Sequence, residues 1–207
     1  MAETIDIEEP KFAKWLFAST GAAWIWLVVR LYVGYEFLHA GWGKLTGTEG
    51  GTWHWGFAYT DASWLRDHGA ALKGFVGYVT SPAMVHGPNA ANNFGWYQNY
   101  LTFIGNHGAF FAYVVTFGEI LVGLGLIFGC LTGIAAFFGV VLNVSFGMAG
   151  IAGVNPEMAV LGMLLILAWR NAGYYGLDRW VLPALGTPWH RGEVFEKHEQ
   201  PAQHQLA

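Results

Sequence analysis

Six side chains of this sequence could do chemistry where polar chemistry is scarce. Arg30, Glu36, His39, Lys44, Glu119 and Asn143 all lie in or beside long apolar runs. Arg30 interrupts the run from Trp15 to Leu38, which is long enough to cross a bilayer, since about 20 apolar residues at 1.5 Å each span the hydrocarbon layer. A guanidinium keeps its proton, so it must find a carboxylate, a carbonyl or a polar ligand there. At 100° per residue Arg30, Gly34, Phe37, Gly41 and Lys44 share one stripe of the helix, and its glycines let a neighbour approach closely.

Glu119 is the sole carboxylate deep in the second apolar run, and Ala135, Gly139, Asn143 and Gly147 form a small or polar stripe on the third. Counted from the ends of their runs, Arg30 and Asn143 lie on the order of 20 Å deep and Glu119 about 15 Å. The spacing therefore predicts an Arg30 to Glu119 ion pair with Asn143 as an added hydrogen-bonding group. Two readings of that layer compete. One is a register-fixing ion pair that binds nothing, and desolvation makes such a pair weak evidence for stability. The other is a ligand or proton-linked site, with Arg30, Lys44 and Asn143 binding an oxyanion or a quinone oxygen.

Glu36 and His39 lie one helical turn apart near the end of the first run, where a carboxylate raises a histidine's proton affinity. With Glu119 they are the candidate proton-handling groups, although a solvated interfacial pair is the simpler reading of the two alone. The loop histidines His54, His68, His86 and His107 lack HxxxH or HxxEH spacing, so no metal site is expected. The many Trp and Tyr residues read first as interfacial belt and packing, and only second as walls of a quinone pocket.

The elements that must position these groups follow from composition. Apolar residues make up 54% of the chain and charged residues 12%, with 29 Gly and 11 Trp, a membrane composition. Four apolar runs, Trp15 to Leu38, Ala109 to Phe128, Leu131 to Ala149 and Pro156 to Tyr175, predict an all-α integral membrane four-helix bundle. The second and third are joined by a tight turn at Gly129 and Cys130. Asn155 is expected to cap the fourth, whose buried part is short, roughly Met158 to Trp169.

Between helices 1 and 2 runs a long connection, about residues 45–107, too rich in aromatics to be disordered. It reads as a partly helical extracytoplasmic cap, with one short helix from Asp61 through Lys73 or beyond and another from Trp96 to Ile104. Pro82 and Pro88 mark turns. Residues 1–14 are an acidic cytoplasmic N-terminus, 15–185 the transmembrane domain, and 186–207 a polar cytoplasmic tail. The first ten residues lack the basic flank and cleavage site of a signal peptide, so the first run is expected to stay as an anchor. Lys11 and Lys14 before the first run, and Arg170, Arg179, Arg191 and Lys197 around and after the last, place both termini in the cytoplasm. One cysteine, Cys130, excludes an internal disulfide, and the net charge of −4 gives no nucleic-acid footprint.

Three segments together, RLYVGYEFLHAGWGKL (Arg30 to Leu45), GEILVGLGLIFG (Gly118 to Gly129) and NAGYYGLDRW (Asn171 to Trp180), resemble the DoxX/DoxD family of small four-helix membrane proteins over roughly residues 24–185. The resemblance carries onto Arg30, Gly34, Gly41 and Lys44, then Glu119, Gly123 and Gly129, then Asn171 and Asp178. It implies a subunit of a quinone-linked oxidoreductase of the thiosulfate:quinone type in a prokaryotic inner membrane, with quinone as cofactor and protein partner subunits or a homo-oligomer. The competing expectation is a non-catalytic accessory subunit packed against a larger respiratory or photosynthetic complex. A transporter is weaker, because no inverted repeat or broken helix is visible.

Overall fold

The computed structural model describes residues 9–47, 62–87, 94–151 and 153–186, and these are helical with no strand among them. The order is α1 (Lys11–Ala18), a 3-10 turn (Thr20–Ala22), α2 (Ala23–Thr46), α3 (Ala70–Val79), α4 (Pro82–His86), α5 (Gly95–Asn106), α6 (Gly108–Phe128), α7 (Thr132–Met148), α8 (Asn155–Leu167) and α9 (Asp178–Ala184). Two helices, Thr20–Thr46 and Gly108–Phe128, are long and apolar enough to cross a membrane. Only about a third of the apolar window of the second is buried within the protein, so it is not the enclosed core helix of a soluble globule. Leu31, Phe117, Leu121, Phe137, Phe138, Val160 and Leu167 stand exposed around the long helices, an apolar girdle that calls for a non-aqueous surround.

The expected first helix, continuous from Trp15 to Leu38, is broken instead. Ser19 is extended and its hydroxyl accepts from the Gly21 amide at 3.2 Å, because a short polar side chain offers the backbone a local partner that competes with the helix. The helix restarts at Ala23 and runs on to Thr46, where Gly47 ends it in the left-handed region with its amide on the Gly43 carbonyl at 2.7 Å. Arg30 is therefore only seven residues into α2, about 10 Å from its start rather than 20.

α2 packs along α6, α6 lies beside α7, α7 packs along α8, and α8 also meets α2. Close approach of α2 and α6 depends on glycine. A Cβ on Gly34 would lie 3.0 Å from the Gly123 carbonyl oxygen, and one on Gly123 would lie 2.6 Å from the Leu38 nitrogen. The expected tight turn joins α6 to α7 through Gly129 at φ 62°. The fourth helix is short, ending at Leu167, and Asn155 does not cap it: its side-chain amide donates to the Ile151 carbonyl at 2.9 Å.

The long connection contributes α3, α4 and α5, and α3 packs on α5 and α6. The helix read from Asp61 begins at Ala70, and Asp61, His54 and Pro88 lie outside the described residues. Pro82 opens α4, where its missing amide is harmless. Ser63 and Trp64 fix the start of this cap to the end of α2. Trp64 N donates to the Lys44 carbonyl at 2.9 Å and Ser63 Oγ to the Leu45 carbonyl at 2.8 Å, which satisfies carbonyls that a helix C-terminus leaves open.

Candidate functional site

The expected Arg30 to Glu119 pair does not form. Arg30 is 1% exposed and its guanidinium donates from Nη1 to the Leu126 and Ile127 carbonyls at 2.8 and 2.9 Å, and from Nη2 to the Tyr175 carbonyl at 2.9 Å. It thus caps the C-terminus of α6, where orphan carbonyls and the negative end of the helix dipole favour a cation. Asp178 does the converse for α7. Its carboxylate accepts from the Leu131 amide at 2.5 Å and the Thr132 amide at 2.9 Å, holding Leu131 in the left-handed region at φ 50°. Asn171 closes the same end, its Nδ2 donating to the Leu16 and Ser19 carbonyls at 3.0 and 2.6 Å. Arg30, Gly129, Asn171 and Asp178 therefore form an architectural lock at the end of the molecule that carries the α6–α7 turn.

Glu119 instead pairs with Lys44. Lys44 sits in the last turn of α2, and because a helical side chain leans toward the N-terminus, its stem runs back along α2 toward α6. Lys44 Nζ lies 2.8 Å from Glu119 Oε1 and 2.6 Å from Oε2. The carboxylate side chain is 4% exposed and the lysine side chain 16%. The ammonium also lies 5.2 Å from the ring centroids of both Trp64 and Phe146, within range of a cation–π attraction. A charge pair so enclosed is costly to build unless both ions are well partnered.

The pair borders a cavity of about 360 Å³ lined by Glu36, His39, Lys44, Glu119 and Asn143, with Trp64, Phe75, Phe146 and Met158 among its apolar walls. Five of the six residues singled out by type and spacing thus share one chamber, and Arg30 does not. Asn143 is 4% exposed, and among the described residues its Nδ2 has no hydrogen-bond partner. A buried donor without a partner costs stability unless something else accepts from it. Glu36 and His39 are partly exposed, with the His39 ring stacked on Tyr35 at 5.9 Å. Trp64, Phe75 and Phe146 escaped the sequence reading as site residues because aromatics were too abundant to single out.

The chamber offers an ammonium and an amide as hydrogen-bond donors, a carboxylate beside them, and aromatic faces on one side. That set suits a flat, carbonyl-bearing ring or a small oxyanion. Among the described residues no three His, Cys, Asp or Glu side chains lie together as metal ligands.

A family model described as DoxX matches residues 25–150. The match takes in α2, the cap, α6 and α7, and it ends before Asn171 and Asp178. No curated protein and no solved structure matches the chain.

Proposed function

The chain belongs to the DoxX family of membrane proteins, whose match spans more than half of its 207 residues, and on that premise we propose that it is the membrane subunit of a quinone-linked oxidoreductase of the thiosulfate:quinone type. α2, α6, α7 and α8 cross a prokaryotic inner membrane as a bundle, with both termini in the cytoplasm and the α3–α5 cap on the outer side. The observation that carries the reading is the Lys44–Glu119 pair in one chamber with the Asn143 Nδ2, a buried donor without a partner among the described residues.

In that reaction two thiosulfate ions join through a new S–S bond and release two electrons, and the quinone that accepts them takes up two protons. Lys44 Nζ and Asn143 Nδ2 would hold a quinone by donating to a carbonyl oxygen and would orient its ring. Lys44 would also stabilise negative charge on that oxygen, which is the direction in which a preorganised cation lowers a barrier. Glu119 and the Glu36/His39 pair line the same cavity, so a proton has carboxylate and imidazole stations between the ring and the partly exposed rim. Trp64, Phe75 and Phe146 exclude water from one side. The quinone would supply the electron acceptor, and the electrons would come from thiosulfate directly or through a partner subunit.

The test is thiosulfate-driven quinone reduction in membranes carrying the chain, compared with Lys44→Met and Glu119→Gln. Activity in the parent that falls at least tenfold in both variants supports the reading. Equal rates in all three sink it. Stable co-purification with a cofactor-bearing complex, together with no turnover that depends on Lys44, would favour the accessory-subunit alternative.

A further inference from the structure

We propose that the apolar groove along the seam of α6 and α7 holds the polyprenyl tail of the quinone whose ring enters the Lys44 chamber; the inference rests on the quinone-binding reading above. The groove has a volume of about 490 Å³. It runs along α7 from Leu131 at the turn to Ser145 near the cap, which at 1.5 Å per residue is about 21 Å. That is the shape of an extended chain and not of a compact ring.

The lining chemistry agrees. The floor is made of small residues, Gly118, Gly125 and Ala135, between walls of Val, Leu and Phe. At the cap end the Tyr97 hydroxyl donates to the Ser145 carbonyl and the Ser145 hydroxyl to the Val141 carbonyl. Both hydroxyls are spent on backbone, so neither calls for a polar occupant.

Two features choose a tail over a partner helix. Leu72 and Val76 of α3 with Leu101 and Ile104 of α5 line the cap end of the groove and close it like a roof. A helix crossing the whole bilayer would run into that roof, whereas a flexible chain ends beneath it. Beneath it, the groove and the polar chamber also share three walls, Trp64, Phe75 and Phe146. Trp64 and Phe75 rings lie 5.8 Å apart, and Phe75 and Phe146 rings 5.9 Å apart. The two spaces lie on either side of this packed aromatic partition, and one molecule with a polar ring and an apolar chain would fill both by crossing it where one of these rings turns aside.

The experiment uses the full chain in phosphatidylcholine nanodiscs, with a long-tail prenyl quinone bearing a diazirine on its tail, a tail-less benzoquinone, and a diazirine phosphatidylcholine. Photolabel from the prenyl probe is expected on peptides covering residues 114–125 and 131–146, competed by unlabelled prenyl quinone and not by extra phosphatidylcholine. Gly118→Leu fills the floor, and among the described residues a Cβ there meets only the Leu142 Cδ1 at 3.9 Å. It is expected to weaken long-tail binding about tenfold and to leave tail-less binding within about twofold. An unchanged long-tail affinity in a folded Gly118→Leu variant overturns the tail site, as does equal labelling of the groove by phosphatidylcholine or a cross-link across the seam to a second copy. If instead the tail-less ring fails to bind while the prenyl label still falls in the groove and is competed, the quinone-ring reading of the chamber fails and the tail site stands.

Discussion

Lys44 on α2 and Glu119 on α6 meet in a two-oxygen contact, with Nζ 2.6 and 2.8 Å from the carboxylate oxygens. This contact ties the cap end of α2 to the middle of α6, as Arg30 ties its other half to the α6 terminus. Two cations on one stripe of one helix therefore have opposite duties. The more deeply buried of them is architectural, and the partly exposed one borders the cavity.

Removing one member of the pair strands the other charge. Glu119→Gln or Lys44→Met alone is expected to cost about 3–5 kcal/mol, and the double variant less than the sum of the two. Thermal melts of the four proteins in the same nanodiscs give the cycle. Strict additivity would show that the two groups do not interact.

Asn143→Leu separates stability from function. The variant removes a buried Nδ2 donor that has no partner among the described residues, so the melting temperature is expected to stay level or rise, while quinone affinity falls about tenfold, equivalent to about 1.4 kcal/mol. A marked drop in melting temperature would mean that the amide already has a structural partner.

Arg30→Lys keeps the charge and loses the fork. A lysine cannot reach the carbonyls of Leu126, Ile127 and Tyr175 together, so a loss of about 1.5–3 kcal/mol is expected. Turnover per folded molecule should be unchanged, because Arg30 lies outside the chamber. A folded but inactive Arg30→Lys protein would return this residue to the site.

The Tyr97 hydroxyl is pushed up to about 12, first by burial and second by neighbouring Tyr100. A raised value favours the neutral phenol in the folded state. Its contribution is therefore complete below the unfolded value near 10 and is lost as pH rises from about 10 through about 12. Melts against pH should show the parent losing its advantage over Tyr97→Phe across that window. An advantage independent of pH would mean that the phenol is not buried against Ser145.

Apolar runs two and three were legible almost to the residue, since α6 and α7 differ from the expected spans by at most a residue or so at either end. The stripe Arg30, Gly34, Phe37, Gly41 and Lys44 was legible too, because it needs only the helical period. Depth was not. Counting from Trp15 ran through Ser19-Thr20-Gly21, where a hydroxyl acceptor followed by a glycine lets the chain turn, and this carried Arg30 one helix-half too deep. With Arg30 misplaced, Glu119 was given the wrong cation, although Lys44 lay on the same stripe. Asp178 stood in a motif whose role no local pattern reveals, because its partners, the Leu131 and Thr132 amides, are 47 and 46 residues away.

The lock around Arg30 also fixes an order of events during synthesis. Leu177 N donates to the Phe128 carbonyl at 3.0 Å and Asp178 N to the Gly129 carbonyl at 2.7 Å, so the turn made early is completed by residues made nearly fifty positions later. A nascent chain that has emerged only as far as α8 lacks the Asp178 carboxylate that accepts from the Leu131 and Thr132 amides. The final segment therefore acts as a latch on the α6–α7 turn, closed only once Asp178 has been made.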